Sequence, residues 1–214
     1  SLMLSRPYTS QLTFKTQLET VLRNARRCKI ILSGILGYGR TIGKKEELID
    51  LSDLIREAVN DIGCVYDMSA INVEWRDKQA GAEITGNRSE LLSVFINIMR
   101  NAYQAMEGKG NLGISMKEDL DNSRVRLTIC DTGGGISGEQ LAKLFKPFAS
   151  GWKKEEGSGL GLATCLGIME RHGGSISAES EGAGKGAAFT ILMPCKPRTF
   201  SGTGPKSGVN LQSG

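Results

Sequence analysis

The amino-acid sequence predicts an α+β fold, in which a mixed β-sheet packs on helices, preceded by one long amphipathic helix. Strand-like and helix-like segments follow one another from residue 47 onward without the repeated βαβ order of a parallel sheet. Before them, residues 11–41 repeat apolar residues at spacings of three and four, which is the period of an amphipathic helix. We therefore divide the chain into a helical segment (1–46), an α+β domain (47–195) and a tail (196–214) whose composition is typical of a disordered segment or linker.

The order of elements within the domain follows from three local signals. Alternating apolar and polar residues predict half-buried strands, and apolar residues at helical spacing predict helices that pack on one face. Ser52 and Asn87 are residue types that cap helix N-termini, and each precedes a run with helical spacing. The predicted elements are strand 47–51, helix 52–62, strands 71–75 and 82–85, helix 88–106, strands 111–117 and 124–130, helix 160–171, and strands 175–181 and 187–193.

Two glycine clusters frame the most informative stretch of the chain. Residues 131–136 read DTGGGI, and residues 157–162 read GSGLGL. Glycine allows positive φ and a close approach of the backbone to a ligand, so we expect the N–H groups of these clusters to face phosphate oxygens. The second cluster runs directly into a helix-compatible segment, and the N-terminus of a helix favours an anion.

Three polar side chains complete a candidate nucleotide site. Asp131 follows a predicted strand, where its carboxylate can accept a hydrogen bond from the amino group of adenine. Asn97 and Asn101 are four residues apart, so both project from one face of the predicted helix. Amide oxygens are hard ligands that can share Mg²⁺ with phosphates and water. The combination predicts a site for a purine nucleoside triphosphate.

Four short motifs in a fixed order carry a family resemblance. Residues 97–101 resemble the N box, 131–135 the G1 box, 145–148 the F box and 157–161 the G2 box of the catalytic ATP-binding (HATPase) domain of bacterial two-component sensor histidine kinases. These domains belong to the GHKL superfamily of gyrase, Hsp90, histidine kinases and MutL, and the match covers roughly residues 47–195. The resemblance implies a Bergerat-type fold, a two-layer α/β sandwich in which ATP lies under a mobile lid between the F and G2 boxes.

The resemblance also implies two cofactors, ATP and Mg²⁺, and the residues that contact them. Asn97 and Asn101 are the expected catalytic residues, Asn101 is the expected Mg²⁺ ligand, and Asp131 is expected to hold the adenine amino group. The other expected ATP contacts are Gly133, Gly135, Ile136, Phe145, Lys153, Lys154, Gly157, Gly159, Leu160, Gly161 and Thr190. Solvation is the alternative for the two lid lysines, and core packing is the alternative for Phe145 and Phe148.

The residue four places before the Mg²⁺ asparagine favours a kinase over an ATPase. In the hydrolytic branch of the superfamily a glutamate there acts as general base for water, whereas this chain has Asn97, which cannot accept a proton at neutral pH. Transfer to a histidine needs no such base, because a neutral imidazole nitrogen already carries a lone pair. We therefore predict a histidine kinase; a GHKL-type ATPase, an anti-sigma-like serine kinase and a non-catalytic nucleotide-binding module are the alternatives.

The N-terminal helix and the single histidine bear on the phosphoacceptor. The helix resembles the second helix of a dimerisation and phosphotransfer hairpin, with residues 36–40 (LGYGR) near its end; a helix packed on its own domain is the alternative. His172 is the only histidine, and we expect it to be structural because Gly173 follows it at a helix end. The expected partners are a histidine-bearing phosphotransfer helix that this fragment lacks, a response regulator receiver domain, and a second copy through the N-terminal helix.

Charge and cysteine content disfavour several other classes. The chain carries a net charge of +4, with nine Lys and Arg against two Asp and Glu in residues 1–46, and 15 against 21 in residues 47–195. Aromatic residues are not interleaved with the basic ones, so no nucleic acid is expected as a partner. The five scattered cysteines predict reduced thiols. No apolar run reaches the roughly 20 residues that cross a membrane, so we expect a cytoplasmic domain, the cytosolic portion of a sensor that can be membrane-associated.

Overall fold

The computed structural model describes residues 14–18, 20–21, 46–76, 82–119, 121–148 and 159–196 of the chain. Residues 14–18 and 20–21 are helical and fall within the helix predicted for 11–41, whose other residues lie outside this description. The predicted lid segment 149–156 and nearly all of the predicted tail also lie outside it.

From residue 47 onward, the described chain forms a mixed sheet and several helices. The elements are β1 (Glu47–Asp50), α1 (Leu51–Val65), β2 (Ile71–Trp75), β3 (Glu83–Gly86), α2 (Arg88–Ala105), β4 (Gly110–Asp119), β5 (Arg124–Asp131), α3 (Gly138–Leu141), α4 (Gly161–Arg171), β6 (Ser175–Glu179) and β7 (Ala187–Pro194). Five strands form a sheet in the order β2-β4-β5-β7-β6, and β1 pairs with β3 separately. The β2–β4 pair is parallel and the other pairs of this sheet are antiparallel.

Helices α2 and α4 pack on one face of the five-stranded sheet, and α1 packs beside α2. In β5, Val125, Leu127 and Ile129 are buried towards the helices, while alternate residues such as Arg126 lie on the other face. Helix α2 is the centre of this layer, because nine of its 18 residues are buried. Burial of each large apolar side chain contributes about 1.5–3 kcal/mol. The predicted two-layer α+β sandwich is therefore confirmed.

The start of α1 differs from the prediction. Asp50, and not Ser52, caps the helix, since its Oδ1 accepts a hydrogen bond from the N–H of Ser52 at 2.8 Å. A carboxylate at this position also complements the helix dipole, and the helix begins one residue earlier than predicted. Asn87 caps α2 as predicted, with its Oδ1 accepting from the N–H of Glu90 at 3.1 Å.

Two strands of the sheet differ from the prediction by two or more residues in length. β4 is longer at both ends, because it pairs with β2 along its first half and with β5 along most of its length. β6 ends two residues early, because Ser180 directs its hydroxyl to the loop that follows. The four cysteines among the described residues are free thiols, and no helix in these ranges is long and apolar enough to cross a membrane.

His172 joins the end of α4 to the start of α2. Its Nδ1 lies 2.8 Å from the carbonyl oxygen of Ile168, and its Nε2 lies 3.0 Å from the backbone nitrogen of Asn87. Because the Asn87 N–H can only donate, Nε2 is the acceptor and Nδ1 carries the proton that it donates to Ile168. Gly173 follows with a φ of 66°, which is typical of a helix-ending glycine. Both ring nitrogens are engaged within the fold, so the structural role predicted for His172 is confirmed.

Replacing His172 with alanine should lower the free energy of unfolding by about 1–3 kcal/mol, because the half-buried N–H of Asn87 loses its acceptor. Chemical denaturation measures the change. Glu170→Ala, at an exposed position of the same helix, serves as the control and should stay within about 0.5 kcal/mol of the wild type. Equal stability of His172→Ala and the wild type would show that these hydrogen bonds contribute nothing.

Candidate functional site

Helix α2 carries the two predicted asparagines on successive turns. Asn97 is 3 % exposed, and Asn101 is half-buried. The helix ends at Ala105, against which the first glycine cluster packs, and Asn97 faces Gly161 at the start of α4. The two glycine clusters therefore meet α2 at positions eight residues apart, which is about 12 Å along a helix axis.

Asp131 stands at the end of β5 and is 7 % exposed. Its Oδ1 accepts a hydrogen bond from the N–H of Gly133 at 2.8 Å. Burial raises the pKa of the Asp131 carboxyl above its usual range, while hydrogen bonds from the backbone of Gly133 and Ala187 act in the opposite direction. The structure thus places an acceptor of the predicted kind beside the end of α2, in a position from which most water is excluded.

The first glycine cluster uses its N–H groups inside the protein. The N–H of Gly134 donates to the carbonyl of Ala105 at 2.9 Å, and the N–H of Ile136 donates to the hydroxyl of Ser180 at 2.9 Å. The N–H groups of Gly133, Gly134 and Ile136 therefore all donate to protein acceptors, so the expectation that they face phosphate oxygens is wrong. The glycines serve close packing instead, since a Cβ on Gly133 would lie 2.5 Å from the carbonyl carbon of Ala105.

A second glycine-rich loop, residues 180–186 between β6 and β7, contacts the first cluster from the other side; we call it the clasp loop. The N–H of Gly184 donates to the carbonyl of Gly134 at 2.7 Å, and the N–H of Gly186 donates to the carbonyl of Gly133 at 3.0 Å. The Ser180 hydroxyl donates to the carbonyl of Gly186 at 2.6 Å. The sequence prediction omits this loop, although its alternating glycines (EGAGKG) were a signal for it.

The second glycine cluster leads into α4 and has a different environment. Gly159 has a φ of 65°, and its carbonyl accepts a hydrogen bond from the N–H of Phe148 at 3.0 Å. Leu160 is the N-cap of α4 and makes no side-chain capping hydrogen bond, so the N-cap side chain does not occupy the first N–H groups of the helix. A helix start of this kind favours an anion.

The predicted contacts of the lid region have different outcomes. Gly157, Lys153 and Lys154 lie outside the described residues. Phe145 packs partly buried against the core, in agreement with the alternative of core packing, whereas Phe148 is 74 % exposed with a φ of 63°.

Thr190 lies apart from the other predicted site residues. It is opposite Thr128 in the β5–β7 pair, and the two hydroxyl oxygens are 3.5 Å apart. Side chains alternate along a strand, so Asp131, three positions after Thr128, points to the opposite face of the sheet. Ala187 is the β7 residue opposite Asp131. We therefore leave Thr190 out of the candidate site.

Asn97 lies between two side chains that the sequence prediction does not include. Its Oδ1 accepts a hydrogen bond from Nη2 of Arg100 at 2.9 Å, and the thiol of Cys165, which donates to the carbonyl of Val94 at 3.9 Å, lies near its side chain. Burial raises the pKa of the Cys165 thiol to about 12, so this thiol is neutral at physiological pH. A Cβ on Gly161 would lie 3.3 Å from Nη2 of Arg100, which places the guanidinium at the start of α4. No local sequence signal distinguishes Arg100 from a solvated arginine.

Asn101 is the side chain of this group that suits a metal ion. Within the described ranges, no cluster of three or more His, Cys, Asp or Glu side chains could hold a metal. No hydrogen bond to the Asn101 side chain occurs among the residues that the structure covers. Its amide oxygen can therefore bind a hard cation that it shares with phosphate oxygens.

Comparison with known proteins identifies the class to which this site belongs. The model of the family described as histidine kinase-, DNA gyrase B-, and HSP90-like ATPase matches residues 86–197, just over half of the chain. The chain therefore belongs to this family, whose domains bind ATP.

Within the family, the similarity is to sensor histidine kinases. The chain is 34% identical over 172 residues to sensor histidine kinase ZraS of Klebsiella oxytoca, which covers 80% of this chain and 36% of that protein. It is similar to the structure of the mycobacterial sensor histidine kinase MprB (TM-score 0.63, 25% identity, 72% of this chain and 100% of that chain). It is also similar to histidine kinase ThkA in complex with response regulator protein TrrA (TM-score 0.59, 25% identity, 91% of this chain and 54% of that chain).

These similarities confirm the predicted kind of domain, the ATP-binding catalytic domain of a sensor histidine kinase. The chain spans about a third of the length of ZraS.

Gly135→Ala should lower the free energy of unfolding by about 2 kcal/mol or more. Its φ of 70° costs a residue with a Cβ about 1–2 kcal/mol, and the new Cβ would also overlap the carbonyl oxygen of Gly182 in the clasp loop. Gly138→Ala is the matched control, because nothing lies within 4 Å of a Cβ built there. Denaturant unfolding of both variants tests the packing role, and an equal loss in the two would contradict it.

Asp131→Asn should change how stability depends on pH. Folding raises the pKa of this carboxyl, so the native chain binds the proton more tightly than the unfolded chain. The wild type therefore gains stability from Asp131 as the pH falls through the raised pKa, and the buried charge costs stability above it. Asparagine does not titrate, so the stability of the wild type relative to the variant should increase as the pH falls. Denaturation at a series of pH values measures this difference, and a constant difference would refute the assignment.

Proposed function

We propose that this chain binds Mg²⁺-ATP and transfers the γ-phosphate to a histidine on a phosphotransfer helix, from which it passes to an aspartate of a response regulator. The arrangement along α2 is the observation that supports this function. The buried acceptor Asp131 lies near Ala105, and the start of α4 lies near Asn97, about 12 Å away along the helix. This separation is comparable with that between the adenine amino group and the phosphates of an extended ATP.

The proposed contacts divide between the two ends of the nucleotide. Asp131 accepts a hydrogen bond from the adenine amino group, and Gly133, Gly135 and Ile136 enclose that end with the clasp loop. Asn101 holds Mg²⁺ through its amide oxygen, and the bound ion neutralises charge on the phosphates. The proposed contacts at the phosphate end, in addition to Asn97, are Lys153, Lys154, Gly157, Gly159, Leu160 and Gly161.

Phosphoryl transfer fits this site better than hydrolysis. The acceptor imidazole nitrogen forms a bond to the γ-phosphorus while the bond from that phosphorus to the β–γ bridging oxygen breaks, and ADP leaves. Water would need a proton acceptor at the position of Asn97, where this chain has an amide whose oxygen already accepts a hydrogen bond from Arg100. The protein therefore contributes positioning of the reactants and stabilisation of charge.

The described residues near the N-terminus support a helical partner. Phe14, Leu18 and Val21 follow helical spacing and are 67%, 49% and 62% exposed. An apolar stripe with this spacing is typical of a helix that packs on another helix. We propose that it packs on the histidine-bearing helix and forms a dimer with a second copy.

The complex of the similar kinase ThkA with TrrA supports a response regulator as the next partner. We place the domain in the cytoplasm, where ATP is available.

Labelling with γ-labelled Mg²⁺-ATP tests the proposed reaction. The purified chain is incubated alone and with a separate histidine-bearing hairpin of a sensor histidine kinase, and label is followed into protein and into free phosphate. We expect ATP binding, little free phosphate, and acid-labile label on the hairpin only. Asn101→Ala should abolish Mg²⁺-dependent ATP binding, and Asp131→Asn should weaken ATP binding by roughly ten- to a hundredfold.

Asn72→Ala serves as the control in these experiments, because Asn72 is exposed on β2 and its side-chain amide donates to Glu74 and Asn111, away from the candidate site. It should bind ATP like the wild type. Steady release of free phosphate by the chain alone would overturn the kinase proposal in favour of an ATPase. Wild-type affinity in both Asn101→Ala and Asp131→Asn would refute the site assignment.

A further inference from the structure

Arg100, on α2, has no acidic partner among the described residues, in contrast to several other arginines of the domain. Arg76, Arg88 and Arg171 each form an ion pair with a glutamate. Arg100 is half-buried on α2, and no carboxylate lies within ion-pair distance of it in the part of the chain that the structure describes. A guanidinium that loses water without gaining a counter-ion is unfavourable, so this position is suited to an anion that is not part of the described protein.

The surroundings of Arg100 show where that anion would lie. Its Nη2 donates to Oδ1 of Asn97 at 2.9 Å and would lie 3.3 Å from a Cβ on Gly161. The guanidinium therefore stands beside the first N–H groups of α4. Counted along α2 from the end near Asp131, this contact between Asn97 and Gly161 lies about one turn further than Asn101.

Asn97 is too enclosed to be the main phosphate contact itself. It is 3 % exposed, and its amide oxygen already accepts a hydrogen bond from Arg100. A guanidinium has five N–H donors in a planar fork, so the bond to Asn97 leaves donors that can bind phosphate oxygens. Arg100 is therefore the more exposed partner of the pair.

We propose that Arg100 binds the terminal phosphate of the nucleotide, and that Asn97 is a positioning residue that holds the guanidinium in place. This inference rests on the proposed function and deepens it. Because the contact lies about one turn further from the adenine acceptor than the Mg²⁺ ligand Asn101, Arg100 meets the phosphate that ATP has and ADP lacks. Arg100 thereby favours binding of ATP over the product ADP.

Titration calorimetry with Mg²⁺-ATP and Mg²⁺-ADP tests this role through the ratio of the two affinities. Arg100→Gln should weaken ATP binding by about tenfold or more and ADP binding by less than about threefold, because one charged contact is lost only with ATP. Arg100→Lys keeps the charge without the planar fork, so its ratio of ATP to ADP affinity should fall between those of the wild type and Arg100→Gln. Arg88→Gln is the matched control, since it removes a cation from the same helix at a site paired with Glu57, and it should leave the ratio unchanged.

A double-mutant cycle tests the role of Asn97. If Asn97 acts through Arg100, Asn97→Ala should shift the ATP to ADP ratio in the same direction, and adding it to Arg100→Gln should cause no further shift. Thermal melts verify that each variant is folded. If Asn97→Ala does not fold, the ratios of ATP to ADP affinity in Arg100→Gln and Arg100→Lys decide the proposal. Equal losses for ATP and ADP in Arg100→Gln, or no loss, would overturn the inference. A wild-type chain that binds neither nucleotide would instead refute the proposed function.

Discussion

The contact between the glycine cluster after β5 and the C-terminal end of α2 is the constraint on which the rest of the site depends. Gly133 approaches Ala105 so closely that a Cβ would overlap the helix backbone, and the N–H of Gly134 donates to the same residue. This contact fixes Asp131 relative to the helix that carries Asn97 and Asn101. The clasp loop then completes the hydrogen bonds of the cluster, so the position of one carboxylate follows from two loops and one helix end.

The two glycine clusters have different physical tasks, although their sequences look alike. In the first, the amides of Gly133, Gly134 and Ile136 bond protein acceptors, so the glycines provide close packing and left-handed backbone. In the second, glycine leads into a helix whose first N–H groups are not capped by the N-cap side chain. Only a cluster with open amides can bind an anion. In the function that we propose, the first cluster orients the acceptor for adenine and the second receives phosphates.

Two charged groups of the site are unfavourable in the protein by itself. Burial raises the pKa of Asp131, and Arg100 is half-buried without an acidic partner in the described chain. A nucleotide would relieve both, because it brings a hydrogen-bond donor to the carboxylate and an anion to the guanidinium. The apolar core around α2 and the hydrogen bonds of His172 at the helix junction supply the rigidity that keeps these two residues in place.

The sequence by itself determined what depends on local spacing. Helical and strand periods are local properties, so the α+β class, the spacing of Asn97 and Asn101, and Asp131 at a strand end were all predictable from residue types. The tertiary structure decided what depends on partners distant in the chain. The face of the sheet on which Thr190 lies, the clasp loop, the engagement of the first cluster's amides and the pairing of Arg100 with Asn97 follow from strand register and close packing, which no local pattern encodes.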